Sequence, residues 1–129
     1  MDKLAAMSGC LAASVAIALG AFGAHALKDR LIESGRLEVW QTAVDYHMWH
    51  ALALLLCSFI PAQAGSKRVA ALFFMSGIVF FSGSLYWLAL DGPGWLGPIT
   101  PLGGLAFILG WLVLGYAVCR DSTLANCSK

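Results

Sequence analysis

The chain has 129 residues, of which 60% are hydrophobic and 12% are charged, and its formal net charge is +1. Soluble domains contain about 45–50% apolar residues, and a chain this short cannot bury the excess in a soluble core. The composition therefore excludes an ordinary soluble fold and indicates that the lipid bilayer is the solvent. Because the net charge is small and no long basic run is present, we expect no nucleic-acid partner.

The first predicted membrane span covers residues 4–25, which contain no Asp, Glu, Lys or Arg. A helix of this length is roughly 33 Å long, enough to cross a bilayer. The same stretch imitates a signal peptide, with Lys3 before an apolar run and Ala24-His25-Ala26 as a cleavage-like site. The run is longer than the roughly 7–15 residues of a signal-peptide core, so we favour a retained span, with cleavage as the alternative.

Small residues recur at every fourth position of this span: Ser8, Ala12, Ala16, Gly20 and Ala24. Helices in lipid associate where small side chains let their backbones approach closely. We expect this face to pack against other spans of the same chain. Self-association between two copies of the chain is the alternative.

The segment 27–43 carries six of the fifteen charged residues and is predicted to lie on the membrane surface. Its apolar side chains recur at helical spacing between the charges, which is typical of an amphipathic interfacial helix. Ser34-Gly35 is expected to break this helix in two. An ordered loop with one short helix is the alternative.

Three further spans are predicted at residues 44–62, 69–90 and 99–119. Thr100 and Pro101 are expected to be the N-cap and the first helical residue of the last span. In the third span, Gly77 and Ser84 lie seven residues apart on one helical stripe suited to close packing. Residues 1–129 are thus predicted to form one all-α integral-membrane domain, a four-helix transmembrane bundle with an interfacial helix between its first two spans.

Four spans place both ends of the chain on the same side of the membrane. The positive residues then divide five to three between the two sides, with Lys3, Lys67, Arg68, Arg120 and Lys129 on the side of the ends and Lys28, Arg30 and Arg36 opposite. Positive residues are enriched in cytoplasmic loops, so this division favours cytoplasmic termini.

Four sequence stretches resemble the YgdD-like family of small bacterial inner-membrane proteins. They are GAFGAHALK, WQTAVDYHMWHALALL, FSGSLYWLAL and ITPLGGLAFILGW, one from each predicted span in order. The chain departs from the family pattern at Ala26, where glycine is expected, and in its cysteine-containing tail. The resemblance implies a multi-pass protein of the bacterial inner membrane with four spans and no established activity.

The predicted topology brings His25, Asp45, His47 and His50 together near one membrane face, where they form a candidate metal site. His47 and His50 are one helical turn apart, and imidazole with carboxylate suits zinc or copper. Haem ligation and a proton or solute pathway are further alternatives. The His-x-x-His motif lacks the general-base glutamate of zinc proteases, which weakens the metal hypothesis. We therefore favour a structural role, in which the histidine rings reach the membrane interface and hydrogen-bond the backbone of the loops. No resident cofactor is therefore expected.

The remaining chemistry-bearing residues form no recognisable catalytic set. The cysteines at positions 10, 57, 119 and 127 show no paired spacing and are expected to be reduced, with a redox or metal role for Cys119 and Cys127 as the alternative. Ser82-Gly83-Ser84 lacks the GxSxG pattern of a nucleophile elbow. The sequence favours a non-enzymatic accessory subunit or homo-oligomeric scaffold of a membrane complex. It does not decide whether the protein is an enzyme. A small-solute or ion transporter or channel is the alternative.

Overall fold

A computed structural model describes the backbone of residues 2–127 and the side chains of residues 2–120. The side chain of Cys127 and the whole of Lys129 lie outside the described residues. The described part is helical and contains no β-strand. Its elements are α1 (Lys3–Ala24), α2 (Lys28–Glu33), α3 (Leu37–Phe59), α4 (Ala64–Gly77), a π-helical turn (Ile78–Ser82), α5 (Gly83–Ala89), a 3-10 turn (Gly94–Leu96) and α6 (Ile99–Cys127).

Three candidate membrane spans are present among the described residues. They are Lys3–Ala24, Ala64–Ala89 and Gly94–Arg120, which are long and apolar enough to cross a bilayer. Ala64–Ala89 consists of α4, the π-helical turn and α5, and we refer to it as the α4–α5 rod. α3 has 23 residues, roughly 34 Å of helix, but it is less apolar because it carries Glu38, Asp45 and two histidines.

The four long helices pack as two antiparallel pairs. α1 makes its most extensive contact with α3, and α6 packs along the α4–α5 rod, while α3 also contacts that rod and joins the pairs. One end of the bundle, the Asp91 rim, holds Arg30, Arg36 and Asp91. At the other end, the Arg68 rim, Asp2 Oδ2 lies 3.7 Å from Arg68 Nε.

The helix break predicted at Ser34-Gly35 is confirmed. Gly35 has a φ of +66°, a left-handed conformation that glycine adopts without steric cost, and it separates α2 from α3. α3 then begins at Leu37, seven residues before the predicted start of the second span. Trp40 and Ala43 are buried, so this part of the segment predicted to lie on the membrane surface packs inside the bundle instead.

Trp40 joins the helices at the Asp91 rim. Its indole Nε1–H donates a 3.0 Å hydrogen bond to the Leu19 carbonyl of α1, and its ring meets the ring of Tyr86 edge-on at a centroid distance of 4.8 Å. The indole also lies directly against Gly23, where an added Cβ atom would fall 2.2 Å from Nε1. A glycine at this position is therefore a packing requirement of the α1–α3 contact.

Two arginines tie the start of α3 and the short α2 to the end of α5. Arg30 Nη2 lies 3.2 Å from Asp91 Oδ2 and 3.4 Å from the Leu90 carbonyl, and Arg36 donates to the Leu88 carbonyl. Cations beside the last carbonyls of a helix interact favourably with its dipole. These contacts close the Asp91 rim over the end of the α4–α5 rod.

Asp91 has a φ of +65°, so its backbone conformation and its ion pairs can be tested separately. We expect Asp91→Asn to lower the free energy of unfolding by less than about 1 kcal/mol, because exposed ion pairs contribute little and Asn tolerates positive φ. Asp91→Val should cost about 1–2 kcal/mol more, since a β-branched residue is strained there. Unfolding by SDS titration in mixed micelles measures both, and equal losses would contradict the backbone explanation.

Glycines set the closest approaches between helices. An added Cβ at Gly9 of α1 would lie 2.7 Å from the Leu55 backbone nitrogen of α3, and one at Gly103 of α6 would lie 2.3 Å from that of Phe81. At Gly77 an added Cβ would overlap the Phe107 ring. Both helix pairs are therefore held in contact that only glycine permits, as small residues allow in membrane bundles.

The predicted small-residue ladder of α1 lies partly against α3. Ala16 is buried, Gly20 faces Val44, and Ser8 and Ala12 are half-buried, whereas Ala24 is exposed. The most buried positions of the helix are Ala5, Gly9, Ala16 and Gly23. The contact face thus shares Ala16 with the ladder, but its other fully buried positions, Ala5, Gly9 and Gly23, are ones that the strict four-residue spacing does not select.

Candidate functional site

The contacts between α1 and α3 fix the depth of the histidines in the bundle. Gly9 lies against Ala51 and Leu55, and Gly20 lies against Val44. These antiparallel contacts place the middle of α1, itself a candidate span, level with the stretch from His47 to Ala51. His50 therefore lies near half-depth in the bundle and far from both rims.

His50 has hydrogen-bond partners on both ring nitrogens. Nδ1 lies 2.7 Å from the Tyr46 carbonyl, and Nε2 lies 3.3 Å from the indole Nε1 of Trp111 on α6. A carbonyl only accepts and an indole N–H only donates, so Nδ1 carries the proton and Nε2 is the acceptor. Both partners select the same neutral tautomer, and His50 links α3 to α6.

Four aromatic side chains surround the His50 imidazole, and together with Phe81, which packs on two of them, we call this group the aromatic cage. Its closest member is Phe107, whose ring is stacked on the imidazole with a centroid distance of 3.4 Å and an interplanar angle of 10°. The cage consists of Tyr46, Phe74, Phe81, Phe107 and Trp111. His50 is only 5% exposed in this apolar setting, which disfavours a charged imidazole.

His47 is also buried, on the Asp91-rim side of His50. Its Nδ1 lies 3.4 Å from the Tyr86 hydroxyl, and 5% of the residue is exposed. The expectation that these two rings reach the membrane interface and bond loop backbone is therefore wrong. It fails because α3 begins at Leu37, which moves His47 and His50 from the start of a helix to its middle.

The other two predicted metal ligands lie elsewhere. His25 is exposed and caps the end of α1, and Asp45 is exposed in a cleft of about 410 Å³ near the Asp91 rim. Across the part of the chain that the structure describes, no three His, Cys, Asp or Glu side chains lie close enough to hold a metal ion. Cys57 is buried in the core, and Cys10 and Cys119 are exposed.

A groove of about 550 Å³ opens on the outer surface of the bundle beside the aromatic cage. It lies between α3 and α6, and we call it the cage groove. Trp111 and Ile108, two of its lining residues, are 46% and 58% exposed. Its lining residues are Tyr46, His50, Phe81, Pro101, Gly104, Leu105, Phe107, Ile108 and Trp111.

Residues 19–104, about two thirds of the chain, match the family described as "Protein of unknown function (DUF423)". The chain belongs to the DUF423 family. The predicted membership of an uncharacterised membrane-protein family is thereby confirmed.

The DUF423 chain is similar over most of its length to proteins from bacteria and from a fungus. It is 42% identical to "UPF0382 membrane protein YwdK" of Bacillus subtilis, covering 92% of this chain and 98% of that protein. It is 36% identical to "UPF0382 membrane protein C1782.12c" of Schizosaccharomyces pombe, covering 87% and 95%. These names describe membrane proteins and state no activity. No solved structure matches the chain.

Sequence reasoning selected the histidines of this DUF423 chain but missed Trp111, which bonds His50. Trp111 follows the matched region and lies 61 residues after His50, so no local pattern joins the two. The only available signal is the pair Phe107 and Trp111, four residues apart and thus on one face of α6. That pattern indicates an aromatic face without saying what it meets.

A second polar contact lies between the cage and the Asp91 rim. Ser84 Oγ is 2.7 Å from the Thr100 hydroxyl oxygen and 2.9 Å from the Phe81 carbonyl, which links α5 to the start of α6. Ser82, in the π-helical turn, is fully buried, and its Oγ has no hydrogen-bond partner within residues 2–120. His47, His50 and Ser84 thus each join two helices of this DUF423 bundle.

Proposed function

We propose that this chain is a four-span protein of the bacterial inner membrane that acts as a non-enzymatic accessory subunit or homo-oligomeric scaffold of a membrane complex. The observation that carries the proposal is the double hydrogen bond of His50. A titratable side chain at membrane depth is by default a candidate for ion or proton movement. Here both nitrogens are bonded inside the chain and the ring is enclosed by aromatic residues, which supports a structural role.

The proposal of four spans rests on the length and register of α3. Its 23 residues equal the length of a spanning helix, and its middle is level with the middle of α1. Its mid-depth histidines are bonded to neighbouring helices, so they do not present unpaired polar groups to lipid. Asp45 lies closer to the Asp91 rim and shares a cleft with Lys28.

Four spans would put Asp2 and Arg120 on the same side, which we propose is the cytoplasm. Five of the eight basic residues then lie inside, and those opposite are offset by Asp91 and by the acidic residues of α2 and α3. Fusion of a reporter active only in the cytoplasm, placed after Arg120, tests this orientation. We expect activity, and an inactive fusion that is inserted in the membrane would contradict it.

A packed interior supports a scaffold over a transporter. Leu54, Cys57 and Phe74 at the centre are each at most 1% exposed, and Phe107 is 3% exposed. Together with Ala53, Ala70, Ile78 and Leu114 they form one continuous apolar cluster. This arrangement favours a rigid bundle whose outer faces meet lipid or partner proteins.

The test is purification of the tagged full-length chain from native membranes in mild detergent, with crosslinking before solubilisation. We expect a defined homo-oligomer or a reproducible membrane-protein partner. An unrelated tagged four-span protein, expressed at the same level, controls for non-specific capture. A lone monomer without a crosslinked neighbour would contradict the proposal.

A flux measurement separates the scaffold from the transporter alternative. In liposomes containing a pH-sensitive dye and a proton gradient, we expect the wild-type chain to dissipate the gradient no faster than empty liposomes. Proton flux that depends on the chain and disappears in His50→Phe would instead establish a pathway and overturn the scaffold proposal.

A further inference from the structure

The cage groove combines a particular depth with a particular chemistry. It follows α6 from Pro101 to Trp111, about 15 Å along the helix, and thus runs from near the Asp91 rim toward the middle of the bundle. It opens outward at a level where the neighbouring solvent would be lipid. A molecule that occupies it must therefore be dissolved in the bilayer.

The walls of the groove are suited to a flat ring. Tyr46, Phe81 and Trp111 supply aromatic surface, and Gly104 leaves space beside the Phe81 ring. Flat rings stack favourably on such side chains. The volume of about 550 Å³ lies within the roughly 300–1,000 Å³ of small-molecule sites. A saturated acyl chain would fill the space without using these aromatic faces.

The Tyr46 hydroxyl supplies a second and independent indication. It has no hydrogen-bond partner among the side chains and backbone described for residues 2–120, although the other groove polar groups, on His50 and Trp111, bond each other. In water such a hydroxyl would be solvated, but in hydrocarbon an unpaired O–H is costly. A ligand oxygen that accepts this hydrogen bond would remove the cost.

We propose that the cage groove binds a membrane-soluble ring compound with a carbonyl oxygen, of the isoprenoid quinone class. The ring lies against the aromatic wall, the Tyr46 hydroxyl donates to the carbonyl, and the isoprenoid chain extends into lipid. The site is formed by α3, the π-helical turn and α6 alone, so it is independent of whether the chain acts as a scaffold.

The test uses decylubiquinone and the full chain in lipid nanodiscs, with quenching of tryptophan fluorescence as the measure of binding. We expect saturable quenching by the wild type. Gly104→Val places methyl groups in the groove and should weaken binding at least about tenfold, while Tyr46→Phe, which removes only the hydroxyl, should weaken it about fivefold or more. An added Cβ at Gly104 makes ordinary contacts of 3.6 Å with Phe81, so the variant is expected to fold.

Gly115→Val is the matched control, because it lies on the same helix and an added Cβ there meets nothing within 4 Å. It should bind like the wild type. Quenching that never saturates, or that is equal in Gly104→Val, would show partitioning into lipid only and overturn the site. If phosphatidylglycerol displaced decylubiquinone as effectively as another quinone does, the proposed requirement for a ring would be overturned. Unchanged binding in Tyr46→Phe would overturn the role of the hydroxyl.

Discussion

Gly103→Ala is expected to lower the free energy of unfolding by about 3 kcal/mol, at the upper end of overpacking in a filled core. The added methyl carbon would lie 2.3 Å from the Phe81 backbone nitrogen and 2.8 Å from the Phe80 carbonyl carbon. Backbone atoms cannot rotate away as a side chain can, so relief requires α6 to move off the α4–α5 rod. That movement would also strain the Ser84–Thr100 contact one helical turn away.

Gly115→Ala is the control for this prediction. It makes the same chemical change in the same helix, at a position where the added carbon would meet no atom of another helix within 4 Å. Alanine favours helix over glycine, so this variant should be neutral or more stable by up to about 1 kcal/mol. SDS titration in mixed micelles gives both values. Equal stabilities for the two variants would show that the two helices are not in backbone contact at Gly103.

His50→Phe is expected to cost about 2–3 kcal/mol, because it keeps a flat ring in the cage but removes both hydrogen-bonding nitrogens. The Trp111 indole N–H loses its acceptor at a depth where water cannot replace it. Stacking on Phe107 can persist, so the loss reports the hydrogen bonds rather than packing. His50→Ala should cost more, since it leaves a cavity among the four aromatic rings that contact the imidazole.

A double-mutant cycle isolates the bond between the two side chains. Trp111→Phe alone should destabilise the wild type, and it should cost about 1 kcal/mol less in the His50→Phe background, where its N–H has no partner to lose. His47→Phe provides a comparison on the neighbouring turn of α3. Additive costs for His50→Phe and Trp111→Phe would contradict a direct hydrogen bond between α3 and α6.

The helical class and several boundaries followed from local sequence. Long apolar runs predicted helices at residues 4–25, 69–90 and 99–119, and the candidate spans Lys3–Ala24, Ala64–Ala89 and Gly94–Arg120 overlap all three. Ser34-Gly35 marked the break after α2. Thr100 lies in the first turn of α6 rather than at its N-cap, since the helix begins at Ile99. Differences of one or two residues are normal where helix ends are assigned.

The start of α3 was missed because charge density was taken as a sign of surface position. Trp40 and Ala43 lie between charged residues in sequence, but both are buried, and Trp40 packs against α1 and α5. Composition measures an average over a segment and does not report which face each residue occupies. The same error placed His47 and His50 at the membrane interface, when helix register carries them to half-depth.

The candidate site was predictable only in part for a related reason. The histidine spacing identified two of its members, but their partners come from α5 and α6 through tertiary contact. Neither the Tyr86 hydroxyl nor the Trp111 indole can be assigned to a histidine from sequence distance alone. The π-helical turn, which carries Ser82, likewise has no recognised sequence signal here.

α1 is held chiefly by α3, and all the residues of that contact precede Ala64. The first hairpin is therefore complete while the second half of the chain is still being synthesised. N-terminal units generally fold first during translation. We expect residues 2–63 to insert early, with α1 already packed against α3. The face of α3 that carries His47 and His50 would then bind the α4–α5 rod and α6 as these helices are inserted.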